Sequence, residues 1–309
     1  MADGGRPNLL FTGSGVALVT PFDSGGVNEG VMRELVRFHL REGTDALVVN
    51  GSTGEATTMS PDEQRRAAEV VADEARRGGE GGRKIPVIVG CGGSDTAAVS
   101  RLAANARAAG ADAILVSPPP YNKPPQRGII AHYRAVIDAA DLPCVVYNVP
   151  GRTACNILPE TVEALAEAPR VVGVKEASGD ISQVAEICRR VGDRVGVYSG
   201  NDDQVVPLMA LGGVGVISVL ANIAPADVSR MAKSFLAGDV AESRRLQLRY
   251  LPLIAALFRE PNPIPVKAAV GMLGYDVGPL RLPLVDPSDA VMKELREAMH
   301  GVGLDVKDS

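Results

Sequence analysis

Val171-Val-Gly-Val-Lys175-Glu-Ala-Ser178 places a lysine at the end of an apolar strand-like run, with polar residues and a helical stretch beyond it. An ammonium flanked by so much apolar chain is expensive to bury unless the chemistry uses it. A desolvated amine releases its proton more readily, and only the neutral form attacks a carbonyl. A Schiff base with a keto acid is the chemistry that fits.

Working outward, seven more β-branched runs share this character: Gly15–Val19, Ala46–Asn50, Pro86–Gly90, Ala113–Ser117, Cys144–Tyr147, Val195–Tyr198 and Val214–Ser218. Between them lie stretches such as Asp95–Ala109 and Pro159–Glu167, where Ala and Leu recur at helical spacing and charged residues fill the other face. Eight strands alternating with helices predict an α/β fold, a closed (β/α)8 TIM barrel. A doubly wound open sheet is the alternative. It loses its main signal because the first strand runs into Thr20-Pro-Phe-Asp23 rather than a Gly-x-Gly-x-x-Gly turn opening a helix. From about Pro225 to His300 the pattern is helical only, broken at Gly238 and around Pro261. The expected organisation is a catalytic barrel over residues 1–224 and a C-terminal helical domain over 225–309.

A formal charge of -5, from 32 basic and 37 acidic residues spread along the chain, offers no basic stripe for a nucleic acid. Cys91, Cys144, Cys155 and Cys188 lack CxxC spacing and read as the thiols of a reduced, cytoplasmic protein. No apolar run is long enough to span a bilayer, and a soluble chain without membrane partners is expected. Gly78–Arg83 reads as a surface turn. The histidines His39, His132 and His300 fall in separate helical stretches, which disfavours a metal site. Asp202 and Asp203 read as solvated loop carboxylates.

In a barrel, reacting groups belong at the C-terminal strand ends and in the loops after them. Asn50–Glu55, Ser117–Asn122, Tyr147–Arg152, Lys175 and Ser199–Asp203 occupy those places. Glycines in Gly51-Ser-Thr-Gly54 permit close backbone approach, so that Ser52, Thr53 and nearby N–H groups can hold a carboxylate; the same turn could equally be a helix cap. Glu55 reads as a structural residue near a helix start. Tyr147 can move protons beside Lys175, although strand-end tyrosines are usually packing residues. Strict alternation puts Val145 and Tyr147 on one face and Val171, Gly173 and Lys175 on one face of the next strand, with Gly173 leaving space below the amine. Tyr121 lies in a proline-stiffened loop that could project to the site or to a neighbouring subunit. Arg152 can hold a carboxylate through two parallel hydrogen bonds, or form a surface ion pair.

Gly51–Glu55, Tyr147–Thr153, Gly173–Gly179 and Gly213–Ser218 together resemble the pyruvate-dependent class I aldolase family of N-acetylneuraminate lyase and dihydrodipicolinate synthase, and the likeness runs from Gly15 to Pro283. The resemblance implies a barrel with a C-terminal helical domain, assembled as a homotetramer of tight dimers. It implies Lys175 as the Schiff-base lysine, Tyr147 as the proton-shuttling tyrosine, Thr53 as the link between two tyrosines, and Tyr121 as a tyrosine donated across the tight dimer. Ser52 takes a pyruvate-carboxylate position and Ile217 a backbone contact to the keto acid. Arg152 matches the synthase arginine for the carboxylate of L-aspartate 4-semialdehyde, and Asn262–Lys267 and Leu280–Pro283 are similar to the synthase C-terminal segment. Ser52 departs from the synthase threonine and matches the lyases, keeping the hydroxyl.

The implied reaction is condensation of pyruvate with L-aspartate 4-semialdehyde to 4-hydroxytetrahydrodipicolinate, in lysine and diaminopimelate biosynthesis, with no cofactor and no metal. The alternative within the family is a 2-keto-3-deoxy sugar acid aldolase or an N-acetylneuraminate-type lyase using the same lysine. A catalytically silent barrel is the reading from another class. At positions where feedback-regulated relatives hold lysine, this chain has Ala56, Thr57, Pro61, Gln64, Ser94, Ala98 and Pro120, which implies weak inhibition by lysine or none.

Overall fold

The computed structural model describes residues 9–78 and 84–307, and among these eight parallel strands close into a barrel. The strands are β1 (Gly13–Ala17), β2 (Ala46–Val49), β3 (Val87–Cys91), β4 (Ala113–Val116), β5 (Cys144–Asn148), β6 (Val171–Glu176), β7 (Gly196–Ser199) and β8 (Gly215–Ser218). Each pairs with the next in sequence, and β8 pairs back onto β1 with Gly13 opposite Gly215 and Gly15 opposite Ile217. Glycine is required at that seam, because a Cβ on Gly215 would lie 2.1 Å from the Gly13 carbonyl oxygen. The segment Thr20-Pro-Phe-Asp23 enters a small hairpin, Phe22–Asp23 against Gly26–Val27, instead of a phosphate-binding turn.

Period-two alternation separates two apolar layers. Ala17, Val48, Ile88, Leu115, Val145, Tyr198 and Ile217 fill the barrel interior, while Val16, Leu47, Val49, Val89, Ile114, Val146 and Val174 pack outward against the helices. The alternation expected along β6 is interrupted. Cys144 pairs with Val171, but the next residue of β5, Val145, pairs with Gly173. Val172 is therefore one extra residue, a bulge of the kind that re-aims side chains near active sites. Val171 joins the outer layer and Val172 the interior, contrary to the expectation from strict alternation.

The helical stretches start where side chains can satisfy their first N–H groups. Asp95 caps Thr96–Ala108, Asp180 caps Ile181–Val191, and Ser60 with Glu63 forms a capping box on Pro61–Arg77. After β8 come helices Pro225–Leu236, Val240–Leu257, Ile264–Met272 and Asp289–Gly301. The first of these packs on β1 as well as on Val240–Leu257, and its Ser229 Oγ and Lys233 Nζ both donate to the Gly43 carbonyl. A division at 224/225 thus falls before a helix with contacts on both sides. Of the turn expected at Gly78–Arg83, residues 79–83 lie outside the described residues. No helix among the described residues is long and apolar enough to cross a membrane.

Candidate active site

Lys175 lies one residue before the end of β6, with Tyr147 of β5 and Tyr198 of β7 as its register partners. Its side chain is buried in the barrel mouth with Nζ 4.3 Å from the centre of the Tyr147 ring. Gly200 makes room for it, since a Cβ there would stand 3.1 Å from Lys175 Cε and 2.7 Å from Ala177 Cβ. Burial pushes the Lys175 ammonium down to about 8; the Asp202 carboxylate opposes that shift and the Arg152 guanidinium adds to it. A substantial neutral fraction near physiological pH is what a nucleophilic amine requires.

Asp202 is buried, which corrects the expectation of a solvated loop carboxylate; only Asp203 is exposed. The Asp202 carboxylate accepts from Ser218 Oγ and from the backbone N–H groups of Val219 (3.0 Å) and Leu220 (2.9 Å). It therefore ties the loop after β7 to the end of β8 and places a carboxylate near Lys175; burial pushes that carboxylate's pKa up, opposed by the hydrogen bonds from Ser218, Leu220 and Val219. Gly173 does not leave open space below the amine. Its missing Cβ accommodates the Tyr198 ring, whose Cε2 would come within 2.9 Å of one. Tyr198 in turn stacks on Phe11 at 4.4 Å and donates its hydroxyl to the Phe11 carbonyl at 2.7 Å, which closes the barrel floor.

Beyond β2 the chain makes two single 3-10 turns, Ser52–Gly54 and Ala56–Thr58, joined at Glu55 in a left-handed conformation (φ 54°). Glu55 is structural, as expected, but sits between turns rather than at a helix start. It is buried and accepts from Lys267 Nζ at 2.7 Å and from the Arg281 backbone N–H at 3.0 Å. Arg281 also forks onto Glu63. The C-terminal segment reaches further into the mouth at Asn262, whose Nδ2 donates to Thr53 Oγ1 at 3.0 Å while its backbone carbonyl accepts from Arg152 Nη2 at 2.9 Å. Thr53 is buried, whereas Ser52 and Arg152 are exposed and accessible to a ligand.

The fold thus brings Lys175 and Tyr147 together directly, and Thr53 and Arg152 together through Asn262. Burial pushes the Tyr147 phenol up to about 12, partly offset by Arg152, so it holds its proton at neutral pH. Ile217 is fully buried in the barrel interior, with its backbone in the β8 ladder opposite Gly15. Tyr121 stands apart from this group. It is 91% exposed at positive φ (70°), on a loop fixed by Asn122 Nδ2 donating to Ser94 O and Ser94 Oγ donating to Pro120 O. Among the described residues no group of three or more His, Cys, Asp or Glu side chains could hold a metal ion. The residues that sequence patterning missed are Asp202, Gly200 and the clasp of Asn262, Lys267 and Arg281. The last three carried a signal through the two C-terminal segments already noted, and Gly200 and Asp202 only through the place of Ser199–Asp203 at a strand end.

A profile of the dihydrodipicolinate synthetase family matches residues 10–301, nearly the whole chain. The chain belongs to the dihydrodipicolinate synthetase family. A 4-hydroxy-tetrahydrodipicolinate synthase of Thermoanaerobacter sp. (strain X514) is 50% identical over 296 residues, covering 96% of this chain and 98% of the relative. Among solved members of the dihydrodipicolinate synthetase family, the Aquifex aeolicus dihydrodipicolinate synthase superposes with a TM-score of 0.92 at 39% identity, covering 96% of this chain and 100% of that one. A DHDPS of Cyanidioschyzon merolae with lysine bound superposes with a TM-score of 0.91 at 40% identity, again over 96% and 100%.

Proposed function

We propose that this protein is a 4-hydroxy-tetrahydrodipicolinate synthase, a lyase that condenses pyruvate with L-aspartate 4-semialdehyde through a Schiff base on Lys175. The observation that carries the reading is the buried Lys175 amine, lowered to about 8, over the ring of a protonated Tyr147. Neutral Lys175 attacks the pyruvate keto carbon, and loss of water gives an imine. Ser52, Thr53 and adjacent N–H groups hold the pyruvate carboxylate, with the backbone at Ile217 contacting the keto acid. Loss of a methyl proton gives an enamine whose carbon attacks the aldehyde. Arg152 commits one donor to the Asn262 carbonyl and keeps its other N–H groups for the carboxylate of the second substrate. With its phenol held protonated, Tyr147 acts first as an acid, and Thr53 and Tyr121 return protons to it. Transimination by the substrate's own amine closes the ring and frees Lys175. No step calls for a metal or organic cofactor.

The high exposure of Tyr121 on a pinned loop supports its entry into the site of a second copy, and a homotetramer built from tight dimers follows from that reading. Its place in lysine and diaminopimelate biosynthesis and a cytoplasmic location are part of the same proposal. The test is a panel of pyruvate with aspartate semialdehyde against sugar aldehydes, run on the wild type and on Arg152→Ala. The semialdehyde should be the productive partner, and Arg152→Ala should lose most of that turnover while still trapping pyruvate on Lys175. Turnover of sugar aldehydes, indifferent to Arg152, would instead establish the sugar-acid aldolase.

A further inference from the structure

Asn262 joins the residues assigned to the two substrates. Its side-chain Nδ2 meets Thr53 Oγ1 at 3.0 Å and its backbone carbonyl takes Arg152 Nη2 at 2.9 Å. The residue is buried, and its Oδ1 has no hydrogen-bond partner among the described residues. Thr53 is also buried, and among the described residues its hydroxyl has Asn262 as its single hydrogen-bond partner. A hydroxyl carries one proton and two lone pairs, whereas an amide NH2 can only donate. Thr53 Oγ1 is therefore the acceptor in this contact. Its one proton remains uncommitted.

We propose that Asn262 is a positioning residue that fixes Thr53 as a hydrogen-bond donor toward the reacting centre, by occupying one of the two lone pairs of its hydroxyl and leaving the other to accept a relayed proton. The proposal rests on the reading that Thr53 passes protons to Tyr147. A relay hydroxyl must accept on one side and donate on the other, and a neighbour able only to donate imposes one direction. Residue 262 also explains how the direction stays coupled to the second substrate, since the same residue's backbone seats Arg152. The opposite amide orientation would set Oδ1 against Thr53 and turn the proton away from the centre, so the two orientations predict opposite orders of activity.

The experiment compares Asn262→Ala, Asn262→Asp, Thr53→Val and the paired substitutions. An ionised carboxylate at 262 can only accept, so Asn262→Asp should lower kcat about 100-fold and Asn262→Ala only about 10-fold. KM for aspartate semialdehyde should change less than about 3-fold in both, because the Asn262 backbone carbonyl that holds Arg152 remains. In the Thr53→Val background, where no hydroxyl is left to orient, either substitution should change kcat by less than about 2-fold more. Asn262→Asp outperforming Asn262→Ala would overturn the assignment, as would losses that multiply undiminished on Thr53→Val. Borohydride trapping of pyruvate reports folding of each variant; if Asn262→Asp does not fold, the Asn262→Ala and Thr53→Val cycle decides. Should the wild type trap pyruvate but ignore aspartate semialdehyde, the proposed function fails alone. The same cycle is then read on deuterium exchange at the methyl group of bound pyruvate, with the same expected and overturning patterns.

Discussion

Lys175 Nζ stands 4.3 Å from the centre of the Tyr147 ring, and the two residues are register partners on adjacent parallel strands. That pairing depends on the bulge at Val172. Continued from Cys144 opposite Val171 without the extra residue, the ladder would set Tyr147 opposite Val174, which faces the helices. A one-residue slip exchanges the faces of a strand, so the bulge is what brings amine and phenol to the same side of the barrel wall. The ring face and Asp202 both favour a charged ammonium, yet burial outweighs them, and the amine titrates near 8.

Trapping with pyruvate and borohydride should therefore add one reduced adduct per chain at Lys175. Because the neutral amine is the attacking form, the initial trapping rate should rise with pH and level off above about 8. Lys175→Arg should give no adduct, since a guanidinium stays protonated. Mass mapping of the label decides; modification of another lysine in folded protein would contradict the assignment.

The same burial makes Lys175 costly to the fold. The folded state holds its proton less tightly than the unfolded chain, so between about 8 and the ordinary lysine value the unfolded state binds more protons and stability rises with pH. Below that window the cost is fully present, at about 3 kcal/mol from the depressed value. Lys175→Met should be inactive yet more stable at pH 7 by about 1–3 kcal/mol, with the gain shrinking above pH 8. Urea unfolding across pH 6 to about 10 checks the sign.

Much of this was readable from the sequence because it is local. Val171–Lys175 is a strand by composition, and an amine at its end needs a purpose; Tyr147 and Arg152 follow from the loop that ends the preceding run. What was not readable is what non-local contacts create. Asp202 looks like any loop carboxylate until the end of β8, 16 residues away, supplies its Ser218 and backbone partners. Thr53 and Asn262 are 209 residues apart, and no spacing rule connects them. The bulge at Val172 was hidden for another reason, since alternation counts residues and cannot register one that the ladder skips.

The buried Glu55–Lys267 pair ties the C-terminal helices to the Gly51–Thr58 turns, with both side chains almost wholly inaccessible. Lys267→Met leaves the Glu55 carboxylate buried, with the Arg281 backbone N–H still donating to it. It should destabilise the protein by about 3–5 kcal/mol, because a buried charge loses its counterion. Adding Glu55→Gln to Lys267→Met should recover part of that loss by removing the orphaned charge. Chemical denaturation of the wild type, both single variants and the double variant measures the coupling; additive effects would show that the pair does not act as a unit.

Free lysine should inhibit this enzyme weakly or not at all. A lysine ligand presents one carboxylate and two ammonium groups, and a site that buries it must pair all three. At the positions implied for regulation, Pro61 opens the helix Pro61–Arg77 and carries no donor or charge. Ala98 lies in the first turn of Thr96–Ala108 and offers no anion, its backbone N–H already bonded to Asp95. Pro120 provides neither an aromatic face nor a hydroxyl, and its carbonyl is taken by Ser94 Oγ at 3.1 Å. Gln64 could still contribute, but its Nε2 donates to the Ala56 carbonyl at 2.8 Å and would have to leave that contact to meet a ligand carboxylate. With no side-chain anion for the ammonium groups at these positions, binding would cost more desolvation than the available contacts return. Titration of turnover with lysine at subsaturating pyruvate, paired with calorimetry, tests this directly. The expected result is no saturable heat and little loss of rate at millimolar lysine; strong inhibition with one saturable site per chain would mean that other side chains rebuild the missing charge pairing.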